Sequence, residues 1–172
     1  MELAEAQIEA TEILKKIAPF CVEIAIAGSV RRRRPEVNDI EIVLIPKEVP
    51  DMNALLPMYV RCPDLIDAIN KWPAVRGEPT GKYTRRIIRP GVEVDFFLVD
   101  RDNWGLQLAL RTGSAEFSHH VLAHGWCVAG CEGRGGHLFR GDKMIPVRTE
   151  HELFELIGHR WVEPELREYS HG

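Results

Sequence analysis

Two stretches of the chain hold residues whose types and spacing could do chemistry. The first, from Ala25 to Pro46, reads AIAGSVRRRRPEVNDIEIVLIP. Gly28-Ser29 forms a small-residue turn, and Asp39 and Glu41 follow on a segment that reads as a strand. Side chains alternate faces along a strand, so these two carboxylates share one face. They repel each other unless a cation sits between them, and hard oxygen ligands of this kind suit Mg²⁺ or Mn²⁺. The turn before them can offer backbone N–H groups and the Ser29 hydroxyl to phosphate oxygens. The second stretch is VEVDFFLV, Val92 to Val99. Val94, Phe96 and Leu98 share one face of that strand, Glu93 and Asp95 the other. A lone Asp on a hairpin strand is ordinarily a solvated edge residue. Asp95 follows a two-carboxylate strand within an apolar run, which marks it as a third ligand. A phosphate grip beside three acids points to phosphoryl or nucleotidyl transfer with two cations, one activating the attacking hydroxyl and one holding the triphosphate. Asp95 is expected next to that hydroxyl, as its general base or beside it.

Arg31 to Arg34 lie between turn and acids. A four-arginine run is often a solvated face. Here it lies close to the expected cations, and a guanidinium suits bidentate phosphate contact and growing negative charge on a leaving pyrophosphate. Arg32 is the expected phosphate clamp.

The elements that must position these groups follow from periodicity. Residues 2–18 read as a helix with Leu3, Ala6, Ala10, Ile13, Leu14 and Ile17 in register, Ile8 off the stripe and Pro19 as the stop. Strands are expected at 21–27 and 39–45. Residues 47–63, with three prolines, read as a loop with a short helix, and 64–71 as a helix. Residues 82–88 and 92–99 form a hairpin about Arg89-Pro90-Gly91. A helix spans 103–111, a small hairpin sheet 126–147, and Thr149-Glu150-His151-Glu152 opens a last helix with a capping box. The fold class is α+β: a mixed sheet with flanking helices over residues 1–102, then a small α+β unit over 103–172.

Composition agrees with an ordinary globular chain of 172 residues, 45% hydrophobic and 28% charged. No apolar run approaches the roughly 18 residues that a bilayer requires, and the acidic amphipathic start does not fit a signal peptide. The four Cys do not read as a disulfide framework. A cytoplasmic monomer is expected. The net charge of −4 argues mildly against a dedicated nucleic-acid protein, yet the basic residues cluster, and local patches set phosphate contacts. His119, His120, His124, Cys127, Cys131 and His137 do not fit a common zinc spacing; Cys127 reads as a small buried residue.

With Gly28, Ser29, Asp39, Glu41 and Asp95 at this spacing, the chain resembles the DNA polymerase beta nucleotidyltransferase superfamily. Arg31-Arg32 after the Gly-Ser turn narrows the resemblance to family X DNA polymerases. Arg111-Thr112-Gly113-Ser114-Ala115-Glu116-Phe117 is similar to the family's Tyr-Phe-Thr-Gly-Ser thumb segment, and Trp161 to Arg167 to its closing aromatic-x-x-Pro-x-x-Arg. The resemblance implies a nucleotidyltransferase palm at 1–102 and a thumb at 103–172, with no lyase domain. It implies a DNA-directed DNA polymerase that adds dNMP to a primer 3′-OH, in short-gap repair, on primer-template or gapped DNA. Thr112-Gly113 is then a platform for the nucleotide sugar, against the plainer reading of a helix C-cap. Lys82, Arg86 and Arg31 are expected on nucleic-acid phosphates, and Ser118 as a further nucleic-acid contact. Four departures stand out: Glu41 replaces an Asp, Leu110-Arg111 replaces an aromatic pair, Ser118 falls where the family has a minor-groove Asn, and the helix after Phe117 reads as ending before Gly125. The alternative is a template-independent nucleotidyltransferase acting on nucleic acid, a small molecule or a protein.

Overall fold

Residues 1–52 and 54–168 are described by the structure, a computed structural model; Asn53 of the expected loop and the last four residues of the 103–172 unit lie outside them. In chain order the first part comprises α1 (Leu3–Ile17), β1 (Cys21–Ile26), α2 (Gly28–Arg31), β2 (Ile40–Pro46), β3 (Glu48–Pro50), β4 (Tyr59–Arg61), α3 (Pro63–Asn70), β5 (Ala74–Gly77), β6 (Tyr83–Arg89) and β7 (Val92–Leu98). One mixed sheet takes the order β1-β2-β7-β6-β5, with β2 and β7 parallel and the other pairs antiparallel.

Alternation along β2 and β7 decides the layers. Ile40, Ile42, Leu44, Val94, Phe96 and Leu98 pack against Ala10, Ile13 and Ile17 of α1 and Leu65 and Ile69 of α3. Ile8 is exposed, as the helical stripe requires. On the other face Val43, Ile45 and Phe97 are covered by Trp104 and Leu108 of α4 (Trp104–Thr112). Past that cover, Glu41 and Asp95 share the face with Phe97 and open into a cleft.

The second part packs α4 against a helical run and a three-stranded sheet. The run is α5 (Ala115–Phe117), a π-helical turn (Ser118–Ala123) and α6 (His124–Val128); β8 (Glu132–Arg134), β9 (His137–Arg140) and β10 (Lys143–Ile145) pair in the order β10-β9-β8, and α7 (Glu150–Leu156) follows. Leu106, Ala109, Phe117, Leu122, Leu138, Leu153 and Phe154 form its core. Thr149 and Glu152 close both halves of the capping box at α7.

Three sequence expectations are corrected. Residues 47–63 hold no helix of their own among the described residues, Pro63 being the first residue of α3; β3 and β4 make a two-stranded ribbon, and three-residue strands are too short for periodicity to mark. The helix after Phe117 does not stop before Gly125. It continues to Val128, because Gly125 lies under Ile157, whose Cβ is 2.9 Å from where a side chain would begin. Cys127 is exposed, and Cys131 is the buried thiol of that region. No helix among the described residues is long and apolar enough to cross a membrane.

Candidate active site

Register brings the acids together. Glu41 on β2 pairs with Asp95 on β7, and Asp95 pairs with Arg85 on β6, so one row crosses three neighbouring strands. Asp39 stands one residue before β2. The row lines a cleft of about 630 Å³ together with Lys82 and Arg111, beneath the Gly135-Gly136 turn of the second sheet. Lys82 Nζ donates to the Gly135 carbonyl at 2.7 Å, and the side-chain amides of Asn103 and Gln107 donate to the Gly136 carbonyl at 3.0 and 2.8 Å.

The Arg85 guanidinium binds the acids. Its Nε donates to Asp95 Oδ1 at 2.7 Å and its Nη2 to Asp95 Oδ2 at 2.5 Å and Asp39 Oδ2 at 2.8 Å, while Nη1 reaches Glu93 Oε2 at 3.1 Å. The Tyr83 hydroxyl adds a donor to Asp95 Oδ1 at 2.8 Å. Sequence reading missed Arg85 and chose Arg86, for a physical reason. The Pro90-Gly91 turn pairs Arg89 with Val92, a register that by itself places Arg86 across from Asp95. A register shift between Ile87 and Arg89 moves the pairing by one and turns Arg85 toward the acids. Arg86 lies on the opposite face, 3% exposed, bonded to Thr84 Oγ1 at 2.9 Å and paired with Glu78. It is not placed for nucleic-acid phosphate.

Glu41 reaches back to the Gly-Ser turn. Gly28 has φ +60°, and a Cβ there would lie 1.8 Å from Glu41 Oε2. Glycine is therefore required twice, by the backbone angle and by the carboxylate beside it. Burial pushes the Glu41 carboxyl up to about 7, with Asp39 and Asp95 adding to the rise; burial and then Asp95 raise Asp39 as well. A carboxyl raised in the folded state binds its proton more tightly there than in the unfolded chain. Stability from this group is therefore present below pH 4.5 and lost as pH rises through about 7. In the presence of chelator, stability is expected to fall by about 2–3 kcal/mol between pH 5 and 8. Urea unfolding at the two pH values checks this, and a flat or rising profile contradicts it.

The arginine run and the Thr112-Gly113 segment meet at the junction of the two parts. Arg31 donates to Thr112 Oγ1 at 2.7 Å and to both Glu150 oxygens at 2.9 and 2.6 Å. Arg32 donates to the Thr112 carbonyl at 2.6 Å and to Glu168 at 2.8 Å. Arg33 pairs with Glu165 and Arg34 with Glu168. Arg31 thus ties α2 to Thr112 and Glu150 in the present arrangement. Thr112 is fully buried and ends α4, with Gly113 as its C-cap. A side chain at Gly113 would meet Ser118 Oγ at 2.8 Å and Phe117 Cδ1 at 2.9 Å. The Ser118 hydroxyl donates to the Leu110 carbonyl at 2.8 Å. Glu150 also accepts from Arg167, which is fully buried over the rings of Phe154 and Trp161. Arg111, also missed, stacks its guanidinium 4.1 Å from the Phe97 ring centroid on the cleft wall. Nothing in its sequence surroundings marks that contact.

The donor set is oxygen-rich and placed by neighbouring strands, which suits Mg²⁺ or Mn²⁺ in chemistry. In its present arrangement, no three His, Cys, Asp or Glu side chains among the described residues converge on one point as a metal site. Arg85 holds two of the three expected ligands in directions of its own.

Residues 107–168 match the family model of the DNA polymerase beta thumb. The whole structure is similar to two crystal structures of polymerase beta from Leishmania infantum, a ternary P/T complex and a ternary gap complex. Each gives a TM-score of 0.73 at 16% sequence identity over 97% of this chain, covering 76% and 70% of those chains. No curated protein matches the chain by sequence. The fold is polymerase beta-like, and its second part is similar to a polymerase beta thumb.

Proposed function

We propose that this polymerase beta-like chain is a DNA-directed DNA polymerase that adds dNMP to a primer 3′-OH, on primer-template or gapped DNA, as in short-gap repair. The observation that carries this reading is the row Glu41, Asp95 and Arg85, with Asp39 beside it, facing a cleft roofed by a polymerase beta-type thumb. Both Leishmania relatives were captured as ternary complexes, one of them with a gap. Asp39, Glu41 and Asp95 would hold two divalent cations, Mg²⁺ or Mn²⁺. Bound there, such ions lower the pKa of an attacking hydroxyl and neutralise charge on a leaving pyrophosphate. Asp95 is the acid nearest the middle of the row and is suited to orient the primer hydroxyl. Gly28 and Ser29 would receive the triphosphate beside Glu41. Arg32, one residue beyond α2, would stabilise the same charge after release from Glu168. Lys82 stands in the cleft wall, suited to a nucleic-acid phosphate. Positioning and charge neutralisation supply most of the catalysis in such transfers.

Gly28→Ala tests the turn. The methyl must displace the end of Glu41, a flexible group, so the folding cost is about 1 kcal/mol from the backbone angle. Incorporation is expected to fall about 10²-fold through misplacement of Glu41. Steady-state rates set beside urea midpoints check both figures, and an unchanged rate contradicts the assignment.

Template-independent transfer remains the second reading. It is favoured by the Ser118 hydroxyl, engaged with Leu110 rather than offered to a base edge. A labelled primer offered on a one-nucleotide gap, on an open template and as a free strand separates the two. Extension by the complementary nucleotide alone, lost in Asp39→Asn, supports the polymerase. Extension of the free strand by any nucleotide supports the transferase, and extension of no primer overturns both nucleic-acid readings.

A further inference from the structure

We infer that Arg85 is a built-in counter-cation of the acidic row, displaced onto Glu93 when a divalent ion enters, so that it lowers the protein's intrinsic metal affinity. The inference rests on the reading of Asp39 and Asp95 as metal ligands.

The geometry is one of competition. A guanidinium donates in one plane and needs the in-plane lone pairs of its partners. Arg85 takes one oxygen of Asp39 and both oxygens of Asp95, and Tyr83 adds a second donor to one of the latter. A divalent cation of the Mg²⁺ type needs the same oxygens at about 2.0–2.1 Å. A divalent cation on Asp95 Oδ2 would bring two positive groups onto one oxygen, and their repulsion favours departure of the guanidinium. The guanidinium cannot yield by losing a proton, because Arg stays charged in proteins. Movement of the side chain is what relieves the repulsion.

A destination is already built. Glu93 lies two residues along β7 on the same face, half exposed, and Arg85 already touches it at 3.1 Å. A cavity of about 370 Å³ lies on that side, lined by Asn38, Asp39, Ile87, Pro90 and Gly91 together with Arg85 and Glu93. Rotation of the Arg85 side chain into this cavity, which Asp95 does not line, would keep its contact with Glu93 and release both oxygens of Asp95. The released Asp95 carboxylate would then face Glu41 across the strand pair, with Asp39 two residues before Glu41.

The device has two consequences. Without a divalent ion, one guanidinium offsets the mutual repulsion of Asp39, Glu93 and Asp95. With one, the ion must displace a charge-assisted bidentate contact, so weak intrinsic binding results, strengthened when a nucleotide triphosphate brings further oxygen ligands.

Mn²⁺ titration in the absence of nucleotide, read from the electron paramagnetic resonance of the free ion, tests this in the wild type, Arg85→Met, Glu93→Gln, the double variant of these two and Asp95→Asn. Arg85→Met is expected to bind Mn²⁺ about tenfold more tightly, since a competing positive charge has been removed. Its melting temperature in chelator is expected below that of the wild type, with the difference closing when Mn²⁺ is added. Glu93→Gln removes the destination and is expected to weaken Mn²⁺ binding more in the wild-type background than in Arg85→Met. Equal or weaker Mn²⁺ binding by Arg85→Met overturns the inference and makes Arg85 a fixed support of Asp95. If Arg85→Met fails to fold, the Glu93→Gln titration decides, and unchanged affinity there overturns it. Failure of the underlying metal reading looks different: wild type, Arg85→Met and Asp95→Asn would then all leave the Mn²⁺ signal unaltered.

Discussion

Asp95→Asn is expected to lower nucleotide incorporation by at least about 10³-fold while the chain still folds. Asp95 is the middle member of the acidic row, 5% exposed, with Glu41 across one strand pairing and Arg85 across the other. Asparagine keeps the shape and one acceptor, so the Tyr83 or Arg85 Nε contact survives. Its amide nitrogen turns a donor toward Arg85 Nη2, which is also a donor, and that contact is lost. Arg85 is partly exposed and can take water instead. The folding cost is therefore about 1–3 kcal/mol, that of one charged hydrogen bond. The effect on chemistry is larger, because the substitution removes the charge that would hold the cation next to the primer hydroxyl. Single-turnover incorporation on a gapped primer, run beside thermal denaturation, separates the two effects. A rate within tenfold of the wild type would remove Asp95 from the catalytic set.

The largest expected effect on stability lies outside the cleft lining, at Glu150. This carboxylate is 8% exposed and accepts from Arg31 and Arg167, and Arg167 is fully buried. Arg167 also has an Nη2 without a partner among the described residues. Burial would raise the Glu150 carboxyl, but the hydrogen bonds from Arg31 and Arg167 outweigh it and hold the group below its ordinary value. Glu150→Gln leaves two neighbouring guanidiniums, one of them buried, without their counter-charge. Loss of one partner of a buried pair costs about 3–5 kcal/mol, which lowers the melting temperature of a chain of this size by about 10 °C. Removing both charges together, as in Glu150→Leu with Arg167→Met, is expected to cost less than Glu150→Gln alone, since no buried charge is stranded. The sign with pH follows from the lowered carboxyl. Its contribution is present above the ordinary carboxylate range and lost as pH falls through the folded value. A Glu150→Gln melting curve within 2–3 °C of the wild type would mean that Arg167 finds water or another acceptor.

The parts of the fold that the sequence makes legible are those with a period or a local signature. The stripe of α1, the alternation of β2 and β7 and the capping box at Thr149 each repeat within a few residues, and each element is present. Asp39, Glu41 and Asp95 were legible because two of them sit two apart and the third interrupts an apolar strand. Arg85 was hidden by a one-residue slip near Arg89, and strand periodicity cannot report a slip. The ties of Arg31 and Arg32 were hidden for another reason. Their partners lie 119 and 136 residues away, so a run that reads locally as a phosphate site is largely neutralised by acids no window contains. The ribbon of β3 and β4 and the edge strand β5 are too short to show alternation at all.

That separation along the chain has a consequence for synthesis. During translation Arg31 to Arg34 are made well over a hundred residues before Glu150, Glu165 and Glu168. At ordinary elongation rates the wait is on the order of ten seconds. For that interval the nascent first part displays four guanidiniums that the finished protein pairs with acids, on a growing chain surrounded by ribosomal RNA. The emerging polypeptide is thus more adhesive to polyanions than the molecule it becomes, and arrival of the thumb's acids is the event that frees it.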